Sequence, residues 1–316
     1  MKTARIHGVG EVRLHTEPVP LPAPGEELLR ITAVGLCGSD LHWYSEGTIG
    51  DARLTRPLVL GHEFAGLTAA GRLVAVDPSI PCHRCEYCEA GHPNLCASQR
   101  FAGHDQTDGG LCQQFCWPSR YLFPLPPAFN ALDGAMLEPL GVALHAVDLG
   151  HLRPGMRVGV FGCGPIGLLV LQVARAAGAA DLLVTEPLPH RRAVAEQFGG
   201  VPWEGQPVDV AFECAGFPGA IDDAFNAARP GGKVILVGIP ADDRTAFNAS
   251  SARRKGLTIK LARRMKHTYP RAIRLVEQGL VNVRGLVTHR YPLEDITTAF
   301  SVAQRREGLK VVVEPT

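Results

Sequence analysis

Aromatic residues make up only 6% of this 316-residue chain, methionine occurs four times, and the formal charge at neutral pH is +1. So little net charge removes the electrostatic basis for nucleic acid or an anionic membrane as a principal partner. No apolar run reaches bilayer-spanning length, and the opening Met-Lys-Thr-Ala-Arg-Ile-His-Gly lacks the apolar core of a secretory signal. There are no internal repeats and no low-complexity segments. What remains is an ordinary globular composition, 46% hydrophobic and 20% charged, in a chain long enough for two domains. Nine cysteines are the exception. At this chain length they suit metal binding better than a small disulfide scaffold. Reduced thiols and the missing signal together point to the cytoplasm.

Four of these cysteines, Cys82, Cys85, Cys88 and Cys96, follow the spacing C-x2-C-x2-C-x7-C. Thiols so spaced can fold onto one point, and four thiolates form a closed tetrahedral zinc site of structural type. The competing reading is a set of disulfides or unrelated core thiols. A closed site leaves no position for substrate, so any chemistry needs other residues.

Up to about residue 142 the sequence is rich in Pro and Gly, with short apolar runs at 28–33, 58–60 and 73–76 that read as strands of a mostly β domain. The pattern then changes. Strands at 158–161, 182–185, 208–212 and 233–237 alternate with helices at 166–177, 190–198 and 220–228, the pattern of a parallel sheet covered by helices. A strand at 257–261, helices at 271–278 and 293–304 and a last strand at 310–313 complete the chain. The expected domains are 1–142, 143–268 and a C-terminal return, 269–316, to the first.

Between the strand at 158–161 and the helix after it lies G-x-G-x-x-G: Gly162, Gly164, Pro165, Ile166 and Gly167, with Cys163 as the first variable residue. The first glycine permits a tight turn, the second a close approach of pyrophosphate, and the third close packing of helix on strand. Glu186 ends the next strand, where a carboxylate binds ribose hydroxyls and repels a 2′-phosphate, favouring NAD over NADP. Arg191 and Arg192 follow one turn later and could accept that phosphate. Elsewhere Cys37, His62, Glu63 and Glu138 are dispersed in sequence; one thiolate, one imidazole and one or two carboxylates would give zinc an open position.

The stretches Cys-Gly-Ser-Asp-Leu-His (37–42), Gly-His-Glu (61–63), the four-cysteine lobe, Glu-Pro-Leu-Gly-Val-Ala-Leu-His (138–145), Gly-Cys-Gly-Pro-Ile-Gly (162–167) and Val-Thr-His-Arg-Tyr-Pro-Leu (287–293) carry a family likeness. Over nearly its whole length the chain resembles the zinc-dependent medium-chain dehydrogenases, nearest to their sorbitol (polyol) branch. The resemblance implies an α/β fold with a Rossmann doubly wound parallel sheet and a mostly β GroES-like catalytic domain. It implies that Cys37, His62 and Glu63 hold a catalytic zinc, with Glu138 beside it as a ligand or through water. Asp40 would orient His62, and Ser39 and His42 would relay the hydroxyl proton to solvent. The implied reaction moves hydride from a secondary hydroxyl of a sorbitol- or xylitol-like polyol to NAD, giving a ketose. The implied assembly is a homo-oligomer, tetramer or dimer. Threonine, butanediol and sugar dehydrogenase activities, and a redox sensor that binds NAD without turnover, are the alternatives. The chain is shorter than the family between Gly66 and Val74, and between Gly199 and Val208 a helix is expected to be absent. Arg263-Arg264-Met265-Lys266-His267 departs from the family pattern at the expected cleft edge; a substrate role and a solvated or subunit-contacting stretch are both open there.

Overall fold

A computed structural model describes residues 1–315. The chain forms two compact units. The first comprises Met1–Glu138 and the chain from Val283 onward, and the second Pro139–Asn282. These crossings compare with 142/143 and 268/269 in the sequence reading. The later return has a local cause, because Asn282 is tied to the second unit: its N–H donates to Gln172 Oε1 at 2.7 Å.

In the first unit a sheet runs in the order Leu122–Pro124, Leu73–Val76, Glu63–Thr68, Glu26–Gly35, Lys310–Glu314, Val287–Pro292, with Gln114–Pro118 also paired to Glu26–Gly35. Pairing is antiparallel except between the two C-terminal strands, which run parallel. The apolar run 58–60 is not a strand. Leu58 makes an isolated bridge to Ile6, donating to it at 3.1 Å and accepting at 2.9 Å. Helix α1 (Gly38–Glu46) is fixed by its buried side: Trp43 is 1% exposed and Tyr44 stacks on Phe300 at 4.6 Å. Its last turn closes on Gly47, whose left-handed backbone lets its N–H reach the Trp43 carbonyl.

The central strand Glu26–Gly35 sets the register of what flanks it. Gly35 pairs with Glu63 on one side and Val312 on the other. A Cβ at Gly35 would lie 2.2 Å from Glu63 Oε2, so only glycine lets that carboxylate cross the strand. On the far side it meets Lys310, whose Nζ donates to both carboxylate oxygens at 2.8 and 2.7 Å and to the Leu36 carbonyl at 3.1 Å. Both side chains are almost fully buried.

The second unit opens with helix α2 (Leu137–Gly150), whose first residues still belong to the first unit. Six strands follow: β1 (Arg157–Phe161), β2 (Asp181–Thr185), β3 (Val201–Pro202), β4 (Val208–Glu213), β5 (Ala228–Leu236) and β6 (Thr258–Leu261). Their order is β3-β2-β1-β4-β5-β6, all parallel, so the order reverses between β1 and β4. Helices α3 (Pro165–Ala176), α4 (Pro189–Gln197), α5 (Pro218–Ala227), α6 (Ala249–Lys255) and α7 (Tyr269–Glu277) accompany the strands. Between α4 and β4 the two-residue β3 is the only regular element, in agreement with the expected loss of a helix there. Among the described residues no helix is long and apolar enough to cross a membrane.

Removing one partner of a buried ion pair leaves an uncompensated charge. Lys310→Met should therefore destabilise the protein by about 3–5 kcal/mol. Denaturant unfolding against the unchanged chain measures it, and a loss below about 1 kcal/mol, the range of an exposed pair, would contradict the pairing described.

Candidate metal and dinucleotide sites

In the first unit the structure brings together two groups of metal-binding side chains. Cys82, Cys85, Cys88 and Cys96 have sulfur atoms that all lie within 4.8 Å of one another. Cys85 caps the short helix Glu86–Glu89, Cys88 lies in it, and Cys96 ends the 3-10 turn Pro93–Leu95. The Cys82 N–H points at Cys96 Sγ, 3.3 Å away, and Cys85 and Cys88 sulfurs are 3.5 Å apart. None of the nine cysteines forms a disulfide among the described residues. The Arg84 backbone N–H and the neighbouring thiols hold Cys82 down to about 6, while desolvation and the other sulfurs push Cys88 up to about 12. Four adjacent thiols cannot all ionise together unless a cation offsets their repulsion, and closed tetrahedral zinc does so.

The second group is Cys37, His62 and Glu63, whose donor atoms also lie within 4.8 Å of one another. Cys37 is the N-cap of α1, and Asp40, one turn later, accepts its N–H at 2.9 Å and that of Gly61 at 3.2 Å. Asp40 is fully buried and lies 3.5 Å from His62 Nδ1. The other ring nitrogen, Nε2, is 3.4 Å from Ser39 Oγ. Asp40 thus orients the imidazole through one nitrogen and leaves the second for a metal, the usual arrangement of a metal-bound histidine. Burial opposes a charged His62, yet Asp40 and Cys37 outweigh it and hold the imidazolium well above its ordinary range. The spot attracts positive charge, and its mixed sulfur, nitrogen and oxygen donors fit zinc.

Glu138 is the second residue of α2, 4% exposed, and stands outside that three-residue cluster. Burial pushes its carboxyl up to about 7, with His62 and Lys310 pulling it down and Glu63 adding to the rise. His42 lies on α1 with its Nδ1 3.0 Å from Glu46 Oε1. Lys310 is the participant that sequence reasoning missed. Its signal was a single charge inside Leu-Lys-Val-Val-Val, otherwise the pattern of a buried strand.

In the second unit Gly162 follows β1 with φ +97°, and a Cβ on Gly167 would come within 1.9 Å of the Gly162 carbonyl oxygen. Gly164 caps α3 with Pro165 at its first position, so that helix's free N–H groups face the turn. Ile166 lies in that same first turn. Glu186 is 8% exposed; one carboxylate oxygen accepts the Cys163 N–H at 2.8 Å, the other that of Leu188 at 3.0 Å. Its remaining lone pairs can still accept ribose hydroxyls. The Arg191 guanidinium lies 3.4 Å from where a Cβ on Gly164 would stand, and Arg192 Nη1 is 3.5 Å from the Glu186 carbonyl. Within the basic run, Met265 is buried and its sulfur sits 2.7 Å from the Cβ position of Gly141, while Arg263 and His267 are exposed. This cradle of glycines, helix N-terminus and acid suits a dinucleotide.

Known proteins resemble this chain over its whole length. The alcohol dehydrogenase GroES-like domain family matches residues 23–127, and the zinc-binding dehydrogenase family matches residues 202–278. The sorbitol dehydrogenase of Bacillus subtilis is 34% identical over 343 residues, spanning 100% of this chain and 97% of the relative. Among solved structures, L-idonate 5-dehydrogenase from Escherichia coli superposes with a TM-score of 0.91 at 26% identity, covering 99% of this chain and 97% of the other. The 2R,3R-butanediol dehydrogenase of Bacillus subtilis does so with a TM-score of 0.90 at 29% identity, covering 100% and 99%.

Metal analysis of the purified protein should find two zinc ions per chain. Chelators should strip one quickly and the other slowly, since four thiolates enclose their ion and the mixed site is open. A stoichiometry of one, kept when Cys82 and Cys85 are replaced by alanine, would remove the four-sulfur assignment.

Proposed function

The chain belongs to the zinc-dependent medium-chain (alcohol) dehydrogenase family, oxidoreductases acting on CH–OH groups, and we propose that it oxidises a secondary hydroxyl of a sorbitol- or xylitol-like polyol with NAD, giving the ketose. The observation that carries this reading is the grouping of Cys37, His62 and Glu63 with Asp40 behind the imidazole and Ser39 in front of it. In this reading these three residues hold the catalytic zinc, Glu138 stands beside it, and the four-cysteine lobe holds the structural one. When bound, zinc supplies a positive charge that makes a hydroxyl at its open position more acidic, and NAD supplies the hydride acceptor.

The protein's own groups do the rest. Ser39 is the first acceptor for the hydroxyl proton. His42 takes it onward to solvent, its ring held in place by Glu46 Oε1, 3.0 Å from Nδ1. Lys310 donates to both Glu63 oxygens and so offsets the carboxylate's charge beside the metal site. In the second unit the glycine turn receives the pyrophosphate and Glu186 the adenosine ribose, and its carboxylate repels the extra phosphate of NADP. The polyol preference is supported by the sorbitol dehydrogenase relative; the butanediol dehydrogenase structure makes a vicinal diol the second candidate.

Reduced-nicotinamide absorbance, followed with sorbitol, xylitol, 2,3-butanediol and threonine and with NAD or NADP, tests the reading. The polyols with NAD should give the highest kcat/KM. No turnover of any alcohol by the zinc-loaded protein would leave it a dinucleotide-binding protein without this activity. Glu186→Ala should raise the KM for NAD and narrow its advantage over NADP. A better response to NADP in the unchanged protein would mean that Arg191 and Arg192 govern the choice. Ser39→Ala should retain both zinc ions and NADH binding while slowing polyol oxidation by about a hundredfold. Full activity across pH would show that the proton leaves by another route.

A further inference from the structure

Glu213 ends β4 beside Phe161, its partner in register on β1. It is 1% exposed, and no role above uses it. Its Oε1 accepts the N–H groups of Ala215 and Gly216, both at 2.7 Å. Its main-chain carbonyl accepts the N–H of Val237 at 2.8 Å and of Gly238 at 3.1 Å. One residue therefore holds two segments: 214–217 after β4 and 237–239 after β5. They approach so closely that a Cβ on Gly238 would stand 2.0 Å from the Gly216 nitrogen and 2.8 Å from Glu213 Oε2. The first segment also walls the glycine turn. The Cys214 N–H donates to the Phe161 carbonyl at 2.8 Å, and a Cβ on Gly162 would meet Ala215 Cβ at 2.7 Å. Burial pushes the Glu213 carboxyl up, opposed by the converging N–H groups of Ala215, Gly216, Gly238 and Phe217.

The place of this junction gives it a function. In open parallel sheets a ligand lies outside the carboxyl ends of the strands where their order reverses, here between β1 and β4. Such sheets are built of two mononucleotide-binding halves. The half made by β1–β3 carries the glycine turn and Glu186, which leaves the half made by β4–β6 for the second nucleotide. We propose that Glu213 is a positioning residue for the nicotinamide half of the cofactor, holding segments 214–217 and 237–239 as the surface on which that half is laid. The proposal rests on the dinucleotide reading above. It differs from the role of Glu186, whose two backbone bonds brace the turn on the adenosine side. An amide at 213 would have one acceptor oxygen instead of two and would turn an NH2 group toward inward-pointing donors, so segment 214–217 would loosen against segment 237–239, which keeps its bonds to the main-chain carbonyl.

Calorimetric titration of the full-length, zinc-loaded protein with NADH and, separately, with ADP-ribose tests this directly. The unchanged chain should bind both. Glu213→Gln should weaken NADH by about tenfold or more, the worth of a lost charge-assisted hydrogen bond, and leave ADP-ribose within about twofold. Glu213→Asp, which keeps the charge but shortens the reach, should fall between; it carries the comparison if the glutamine variant proves unfolded by circular dichroism. Equal losses for the two ligands would mark Glu213 as a general stabiliser of the unit, and unchanged NADH affinity would mark it as irrelevant; either overturns the proposal. Failure of the unchanged chain to bind NADH would instead overturn the dinucleotide reading, and this inference with it.

Discussion

Buried negative charge has to be balanced, and the first unit is organised around that requirement. Asp40, Glu63 and Glu138 are all buried, and Cys37 adds a thiol to the same region. Charges removed from water are tolerated only when paired and hydrogen-bonded. Lys310 answers one of them, reaching Glu63 past the one strand position that has no Cβ. That lysine comes from the segment after Val283, so the pair ties the two stretches of this discontinuous unit together. The strand Lys310–Glu314 must return beside Glu26–Gly35 before the Glu63 carboxylate has a partner. Lys310 itself stays charged although burial disfavours it, because Glu63, Cys37 and Glu138 surround it.

One lysine does not exhaust the demand. His62 still draws a proton strongly, a sign that the group formed with Cys37 has room for a second positive charge. A divalent ion in that position would satisfy what the lysine leaves over. In the reading proposed, the four-cysteine lobe follows the same logic in another form, a metal being the positive partner that its four clustered thiols would take. The contrast between a closed set of four sulfurs and an open set of mixed donors separates holding structure from doing chemistry.

Much of this could be read from the residues alone. The cysteine spacing, the glycine triple and the alternation of short apolar strands with helices are local patterns, and five of the six strands of the parallel sheet overlap their expected places, the two-residue β3 being the exception. Among the described residues five helices were not anticipated: α1, Glu86–Glu89, Ala131–Ala135, α2 and α6. Helix α1 begins at Gly38 and has few apolar residues; it forms because Asp40 caps the N–H of Cys37 and because Trp43 and Tyr44 are buried. Helix α2 begins Leu-Glu-Pro-Leu-Gly, which resembles a turn, yet proline is tolerated in a first helical turn where no N–H bond is lost. The run 58–60 is apolar because it is buried, and burial alone does not make a strand. Lys310 and Glu213 escaped for a common reason. A lone charge in an apolar strand suggests a solvated edge, and only three-dimensional pairing reveals a buried carboxylate or converging backbone N–H groups in its place.

Zinc K-edge X-ray absorption on a variant with Cys82 and Cys88 replaced by alanine isolates the mixed centre and tests the central claim that this charge-balanced cluster is a zinc site of its own. The account predicts retained zinc whose inner shell holds one sulfur at about 2.3 Å and nitrogen or oxygen neighbours at about 2.0–2.2 Å. A shell dominated by sulfur, or a folded protein without zinc, would contradict it.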